Sequence, residues 1–232
     1  NVSVEAMPDN KKSQFTGKYW KPGSAPVAVV MLSLNEGHNM EAVLQNLSGW
    51  AQEVFLVDSY SRDETVDIAL RYGVHVIQRR FRGFGDQWDF ALKNLPINAP
   101  WTMKLDPDER LTGSLKSEIE SVLEKDEHDA FIASIRLFFM DQPLPIRLKL
   151  TRLWKTGCVE FRKVLVNEHP RIEGELGRLK ADIEHHDSPD LHHWLNKQNW
   201  YTTAEATMAH ENSGLAATPR LLGTPLERRM WL

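Results

Sequence analysis

Four short apolar runs, with helix-spaced stripes between them, set the rhythm of the sequence from Val27 to Leu105. Val27 to Leu34 is apolar and β-branched over the length of a strand, a texture that suits burial on both faces of a parallel sheet. Met40, Val43, Leu44, Leu47 and Trp50 then recur at helical spacing. Val54 to Val57 predicts a second strand, Val66, Ala69 and Leu70 a second helix, and Val74 to Ile77 a third strand. Trp88, Leu92 and Leu95 predict a third helix before the strand Trp101 to Leu105. Such a β-α-β-α-β-α-β order needs crossover connections, so it implies a parallel sheet with right-handed crossovers and helices on both faces.

Open sheets of this kind bind ligands outside the carboxyl ends of their strands. The first strand ends at Ser33-Leu34-Asn35-Glu36, the second at Asp58-Ser59 and the fourth at Asp106-Pro107-Asp108-Glu109. Three strand ends therefore deliver acids and hydrogen-bonding groups to one edge. Two carboxylates two residues apart in a turn, as in Asp106-Pro107-Asp108, can both face one hard cation. A cation held so neutralises a diphosphate and keeps open positions for its oxygens. The plainer reading of the same residues is an Asp-Pro turn with capping acids ahead of a helix.

Past Glu109 the pattern loosens. Leu111, Leu115, Ile119, Val122 and Leu123 predict an amphipathic helix, and the alternation Phe131, Ala133, Ile135, Leu137, Phe139 predicts a strand. Further short strands are expected between Leu148 and Val166, and a helix from Leu191 to about Glu211 with Leu191, Trp194, Leu195, Tyr201 and Met208 on one broad face. The polar first 25 residues, with Pro8, Gly17, Pro22 and Gly23, predict a mobile or wrapping arm, and residues 213–232 a tail. The expected organisation is thus an arm over 1–25, one domain over 26–212 and a tail over 213–232.

A chain of 232 residues with a formal net charge of -4 has no global basic field, so nucleic acid is not an expected partner. Two local basic clusters, Arg79, Arg80 and Arg82, and Arg147, Lys149, Arg152 and Lys155, are expected to be solvated faces. The single cysteine, Cys158, excludes an intramolecular disulfide and a cysteine-rich zinc site; it is expected in the core, in a reducing, cytoplasmic setting. No apolar run approaches the roughly 20 residues of a membrane helix. The chain begins at Asn1 rather than methionine, so the lack of a leader decides nothing. Trp88, Trp101 and Trp154 are expected in the core, whereas Trp194 and Trp200 are candidates to stack on acceptor sugars.

Several motifs in order carry a resemblance. They are Ser33-Leu34-Asn35-Glu36, Val57-Asp58-Ser59-Tyr60-Ser61-Arg62-Asp63-Glu64-Thr65, Gly83-Phe84-Gly85-Asp86-Gln87, Phe90-Ala91-Leu92 and Leu105-Asp106-Pro107-Asp108-Glu109. Asn167-Glu168-His169 follows, then Glu184-His185-His186-Asp187 with Trp194, Lys197, Tyr201 and Glu205-Ala206. Over residues 26–212 the chain resembles family-2 glycosyltransferases of the GT-A fold, in particular the bacterial branch that includes lipopolysaccharide-core β-glucosyltransferases. That fold is an α/β, Rossmann-like nucleotide-binding sheet, mostly parallel, with helices on both faces and a mixed extension on the acceptor side.

The resemblance assigns Asn35, Glu36 and Asp58 to the nucleotide pocket, with Gln87 lining it beneath the nucleotide. It places Asp106 near the ribose and metal-bound water, and Asp108 on Mn²⁺ or Mg²⁺ across the donor diphosphate. His185 resembles the downstream histidine that completes the metal shell, with adjacent His186 as the alternative. Pro107 stands where the family has a small residue, and Asp89 where it often has Asn; proline stiffens the loop without removing a carboxylate. Inverting displacement also needs a base for the acceptor hydroxyl: Glu168 is the candidate and Glu160 the reserve. The function implied is metal-dependent transfer of a hexose from a nucleotide sugar, most simply UDP-linked, to a bacterial surface glycan or lipid-linked acceptor. Arg228-Arg229-Met230-Trp231-Leu232 adds an expected peripheral contact with the inner membrane leaflet. The rivals are a nucleotidyltransferase on a related scaffold, which the chain's lack of an early glycine- and arginine-rich loop disfavours, and an inactive sugar-nucleotide or glycan-binding module.

Overall fold

The computed structural model describes residues 21–161, 166, 168–186 and 188–213. Most of the expected arm and tail, including Arg228 to Leu232, lies outside the described residues, as does Asn167. The chain order is β1 (Ala25–Ser33), α1 (Gly37–Leu47), β2 (Ala51–Asp58), α2 (Thr65–Tyr72), β3 (His75–Gln78), α3 (Phe84–Asn94) and β4 (Trp101–Lys104). Then come β5 (Glu109–Leu111), α4 (Gly113–Lys125), β6 (Ala130–Phe139), β7 (Gln142–Lys155), β8 (Val159–Phe161), β9 (Pro170–Ile172), β10 (Leu176–His186) and α5 (Leu191–Ser213).

One eight-stranded sheet runs β3-β2-β1-β4-β7-β6-β10-β5, and β8 pairs with β9 separately. Its first half, β3-β2-β1-β4, is parallel throughout, as the alternating pattern predicts. The second half is mixed: β7 is antiparallel to β4 and β6, β10 is parallel to β6, and β5 is antiparallel to β10.

Alternation along β1 explains why Val27 to Leu32 had to be apolar at every position. Val27, Val29 and Met31 enter one core, while Ala28, Val30 and Leu32 enter another on the opposite face. The first core takes Met40, Val43 and Leu44 of α1, Ile68 and Ala69 of α2 and Leu115 and Ile119 of α4. The second takes Trp88 and Ala91 of α3 with Trp154 and Phe161. Helices thus cover both faces, and Trp88, Trp101 and Trp154 are core residues as expected. Cys158 is half-buried against the second core.

Several expectations need correction. Leu70 is 58% exposed, because the buried stripe of α2 is Ile68, Ala69 and Tyr72. Trp50 lies beyond the end of α1, and Leu111 belongs to β5 while Thr112 caps α4, accepting from Leu115 N at 3.2 Å. Of the short strands expected between Leu148 and Val166, β8 is present, but Leu148 to Lys155 belongs to one 14-residue strand, β7, which begins at Gln142. It returns from β6 through Met140 (φ 48) and Asp141 (φ 62), the left-handed pair of a two-residue hairpin turn. In α5, Leu191 and Leu195 are exposed while Trp194 and Tyr201 are half-buried, so these four do not form one buried face; the side chain of Met208 lies outside the described residues.

Gly177 permits a close approach in β10. A Cβ there would stand 2.5 Å from Phe131 Cε1, in a ring that is itself buried. Gly177→Val is expected to destabilise the protein by about 1–3 kcal/mol through overpacking, read as a lower denaturation midpoint in urea.

Candidate functional site

The loops after β1 and β2 are joined through buried polar groups. Asp58, fully buried, accepts from Ser33 Oγ at 3.0 Å, Ser61 N at 2.9 Å and Gln78 Nε2 at 3.0 Å, and also from Ser61 Oγ. It therefore ties together the ends of β1, β2 and β3, and must exchange a partner before it can accept from a ligand. Asn35, at φ 58, donates its N–H to Ser61 Oγ and accepts from Arg62 N at Oδ1, each at 2.8 Å. Glu36 N donates to Thr65 Oγ1 at 2.8 Å, and Gly37 N to Asp63 Oδ2 at 2.9 Å.

Gln87 is fully buried. Its Nε2 donates to Ser59 Oγ at 3.1 Å, and its Oε1 accepts from Arg79 Nη1. It supports Ser59, which lines the adjoining cavities, from below. Arg79 also pairs with Asp86 at 2.6 Å and lies over the Phe90 ring at 4.7 Å, so that residue is not part of a solvated face. Asp89 pairs with Lys93 one helical turn on, at 2.6 Å.

The turn between β4 and β5 holds the acids. Asp106 N donates to Glu109 Oε2 at 2.9 Å, and Arg152 Nη2 reaches Asp106 Oδ2 at 3.1 Å and Glu109 Oε1 at 2.6 Å. Arg152 is 3% exposed, which overturns the solvated-face reading for that residue. The cause is local: Phe131 pairs with Leu153 and Ile132 with Thr151, so Arg152 is the extra residue of a β-bulge. Bulges re-aim a side chain, here into the acid cluster. Its neighbours in sequence behave as expected of surface charges, Arg147 pairing with Asp182 and Lys155 with Asp126 and Asp129.

Asp108 is also buried. Its Oδ2 accepts from Lys197 Nζ of α5 at 2.9 Å, whereas its Oδ1 is buried without a hydrogen-bond partner. His185 Nδ1 lies 3.5 Å from Asp108 Oδ1 and 3.7 Å from Glu109 Oε1. Its neighbour His186 points to the other face of β10 and stacks on Phe138 at 4.7 Å, so the alternation of the strand selects His185 for the cluster. Among the described residues no group of three or more His, Cys, Asp or Glu side chains is ready-made to hold a metal ion. The unpaired buried oxygen of Asp108 nonetheless suits a cation, since an acceptor of that kind is costly to leave unmatched.

Burial would raise the Asp106 carboxyl, but the Arg152 and Lys104 charges outweigh it and hold it at about 2. Glu36 goes the other way: burial, helped by the Asp108 charge, pushes it up to about 7. Burial likewise raises the Tyr201 phenol. Glu168, nearly buried, takes Lys104 Nζ on its Oε1, and Lys104 is the last residue of β4, just ahead of Asp106. Glu160 is exposed on β8, opposite Arg171.

Glu36, Asp106, Asp108 and Glu109 edge a cavity of about 720 Å³, whose lining includes neither Glu168 nor Glu160. Glu36, Asp106, Asp108, Arg152, His185 and Lys197 form its polar end. The opposite wall is aliphatic, from Leu137 of β6 and Leu144, Leu148 and Leu150 of β7. Helix α5 crosses the opening with Trp194, Trp200 and Tyr201; Trp194 meets Phe139 edge-on at 5.6 Å and Tyr201 stacks on Phe84 at 6.2 Å. Arg152, Lys197 and Lys104 are the residues whose part in this cluster sequence reasoning missed. The spacing Trp194, Lys197, Tyr201 in one helix was the available signal for Lys197; no periodicity marks a bulge residue such as Arg152.

A model described as Glycosyl transferase family 2 matches residues 28–187. The chain is 26% identical over 197 residues to an uncharacterized glycosyltransferase of Rickettsia prowazekii, covering 78% of this chain and 66% of that protein. It is 26% identical over 214 residues to the lipopolysaccharide core biosynthesis glycosyltransferase LpsC of Rhizobium meliloti, covering 86% and 77%. Among solved structures, S. aureus TarS 1–349 in complex with UDP-GlcNAc gives a TM-score of 0.57 at 14% identity, over 82% of this chain and 68% of that one. The mannosyltransferase PcManGT from Pyrobaculum calidifontis, in complex with GDP-Man and Mn²⁺, gives 0.51 at 14% identity, over 92% and 71%.

Removing Arg152 would strand the fully buried carboxylate of Glu109 and leave the half-exposed Asp106 without its partner. Arg152→Met is expected to cost about 3–5 kcal/mol near pH 7, measured by urea denaturation. The depressed Asp106 carboxyl contributes stability that is present above its ordinary 3.8 and is lost as pH falls towards about 2, so the gap between wild type and variant should narrow on acidification. Glu36 has the opposite sign: its folded value is raised from 4.5 to about 7, so ionising it costs stability increasingly over that interval. Glu36→Gln should therefore match wild type near pH 4 and exceed its stability by at least about 1 kcal/mol near pH 8.

Proposed function

Because the chain belongs to glycosyl transferase family 2 and carries its GT-A fold, we propose that it is an inverting, metal-dependent transferase. In this reading it moves a hexose from a UDP-linked donor to a bacterial surface glycan or glycolipid. The observation that carries the proposal is the meeting of Glu36, Asp106, Asp108 and His185, from three separate segments, along the lining of one cavity. The name of the Rhizobium meliloti relative, a lipopolysaccharide core biosynthesis glycosyltransferase, supports a surface-glycan acceptor, and the complexes of the two structural neighbours support a nucleotide-sugar donor.

Asp108 and His185 would hold Mn²⁺ or Mg²⁺, with Asp106 beside them. The bound cation would supply neutralisation of charge on the donor diphosphate. Arg152 fixes Asp106 in its ionised form and orients it towards the cavity. Lys197 brings a further positive charge to the same place. Transfer itself is a displacement at the anomeric carbon. The acceptor oxygen forms its bond as the bond to the diphosphate oxygen breaks, and the hydroxyl proton passes to Glu168. The ion pair of Glu168 with Lys104, beside the strand that carries Asp106, favours it over the exposed Glu160. A lipid-linked acceptor would be met by peripheral contact at the inner leaflet; no described helix is long and apolar enough to cross a membrane.

Titration calorimetry with UDP, with and without Mn²⁺, tests the donor half of the proposal: binding is expected and should tighten with the metal, and no binding in either condition would remove its basis. Asp108→Asn keeps the contact with Lys197 but weakens the cation site, and transfer should fall by about 100-fold or more. Full activity in that variant, or in excess EDTA, would contradict metal dependence. Glu168→Gln should abolish transfer while UDP affinity stays within about tenfold, roughly 1.4 kcal/mol; normal transfer would move the proton acceptor elsewhere.

A further inference from the structure

The aliphatic wall of the cavity has no part in holding the acids or a nucleotide. Leu137 and Phe139 of β6 form it with Leu144, Leu148 and Leu150 of β7. None of these side chains gives or takes a hydrogen bond, so sugar hydroxyls or a phosphate laid along them would be left unpaired. Trp194 of α5 lines the same space and meets Phe139 edge-on at 5.6 Å, which makes the wall one side of a slot. The strands fix where the slot begins. Leu137 pairs with His185, and Leu150 stands two residues from Arg152, so it starts at the acid cluster. Its far end lies at the β6–β7 hairpin, where the ladder is interrupted. Between the pairs Phe138–Pro143 and Arg136–Arg147, Leu144, Pro145 and Ile146 stand opposite Leu137 alone. Ile146 in this bulge is 51% exposed and Met140 in the turn 55%, so the slot ends among exposed apolar side chains.

We propose that this slot holds the hydrocarbon chain of a lipid-linked acceptor, whose reacting hydroxyl then stands at the Asp108 end. The inference rests on the transferase reading above and narrows it, choosing a lipid-linked acceptor over a free glycan. Wall and acids belong to one cavity, so an occupant must be apolar along the wall and must also reach the acids. A sugar nucleotide is polar from base to sugar and fails the first condition, and a free oligosaccharide fails it too. A polar head on a hydrocarbon chain meets both. At about 3.3 Å per residue, Leu150 to Leu144 spans at most roughly 20 Å, room for a run of methylenes rather than a single methyl branch. A chain longer than the slot leaves it beside Met140 and Ile146, where apolar side chains already face outward.

The test is calorimetry with hexyl, octyl and decyl β-glucosides, each below its micellar concentration, and separately with UDP and Mn²⁺, against the full chain and two variants. Wild-type affinity for the glucosides should rise roughly two- to fourfold per methylene added. Leu144 is half-buried and belongs to neither core, so Leu144→Gln should keep the thermal midpoint and the UDP affinity. Its affinity for decyl glucoside should nevertheless fall at least about fivefold. Leu195→Gln removes an exposed apolar side chain that lies off the slot, and should leave the glucoside series as in wild type. Equal losses in the two variants would reveal adsorption to exposed apolar surface and overturn the slot. Wild type that binds UDP but shows no dependence on chain length would overturn the hydrocarbon chain alone. Self-association of wild type that Leu144→Gln abolishes would give the wall to a second copy and overturn the acceptor. Wild type that does not bind UDP would overturn the transferase reading and, whatever the glucosides do, the acceptor role with it.

Discussion

The buried guanidinium of Arg152 is the contact on which the polar end of the cavity depends. Two carboxylates in one short turn repel each other and lose hydration together, and neither stays ionised in such a place without a cation of comparable burial. Arg152 meets both, Asp106 at 3.1 Å and Glu109 at 2.6 Å. One positive charge does not balance three acids once Asp108 is included, and the surplus is visible in its neighbours. Glu36 is driven towards its neutral form, and Lys197 is drawn from α5 onto Asp108.

Much of this arrangement could be read from the sequence because its parallel half obeys one rule repeatedly. Val27 to Leu32 is apolar at every position since both faces of β1 are covered, and the acids follow at the ends of such runs because that is where the sheet stops needing apolar side chains. His185 could be named but not separated from His186, since only pairing to a neighbouring strand decides which of two adjacent side chains points inward. Arg152 could not be read at all. Its inward direction comes from a bulge, and a bulge breaks the very alternation by which a strand is recognised. The start of β7 was hidden for a related reason: Pro143 and Pro145 speak against a strand, yet there the hairpin lies largely exposed.

Helix α5 was legible as a helix but not as a packed one. Its apolar residues suggested a single buried face, yet Leu191 and Leu195 remain exposed while Trp194, Lys197 and Tyr201 turn to the cavity. A helix that crosses an opening has side chains facing space rather than core. Its stripe then reflects what passes through the opening as much as what holds the fold. The cavity is accordingly two-sided, with charge at the strand ends and aliphatic side chains on β6 and β7, an arrangement suited to a ligand that is itself polar at one end and apolar at the other.

The pairing of β10 with β6 slips between Arg178 and Asp182 and is regular again from Asp182 to His186. Length changes during divergence meet these two stretches differently. An added residue before Asp182 has an irregularity in which to be absorbed. Past that point, one added residue would move His185 to the outward position and put Glu184 in its place, so the cluster would gain an acid and lose its imidazole. The final few residues of β10 are therefore a measured length of chain, whereas the segment before them is spare.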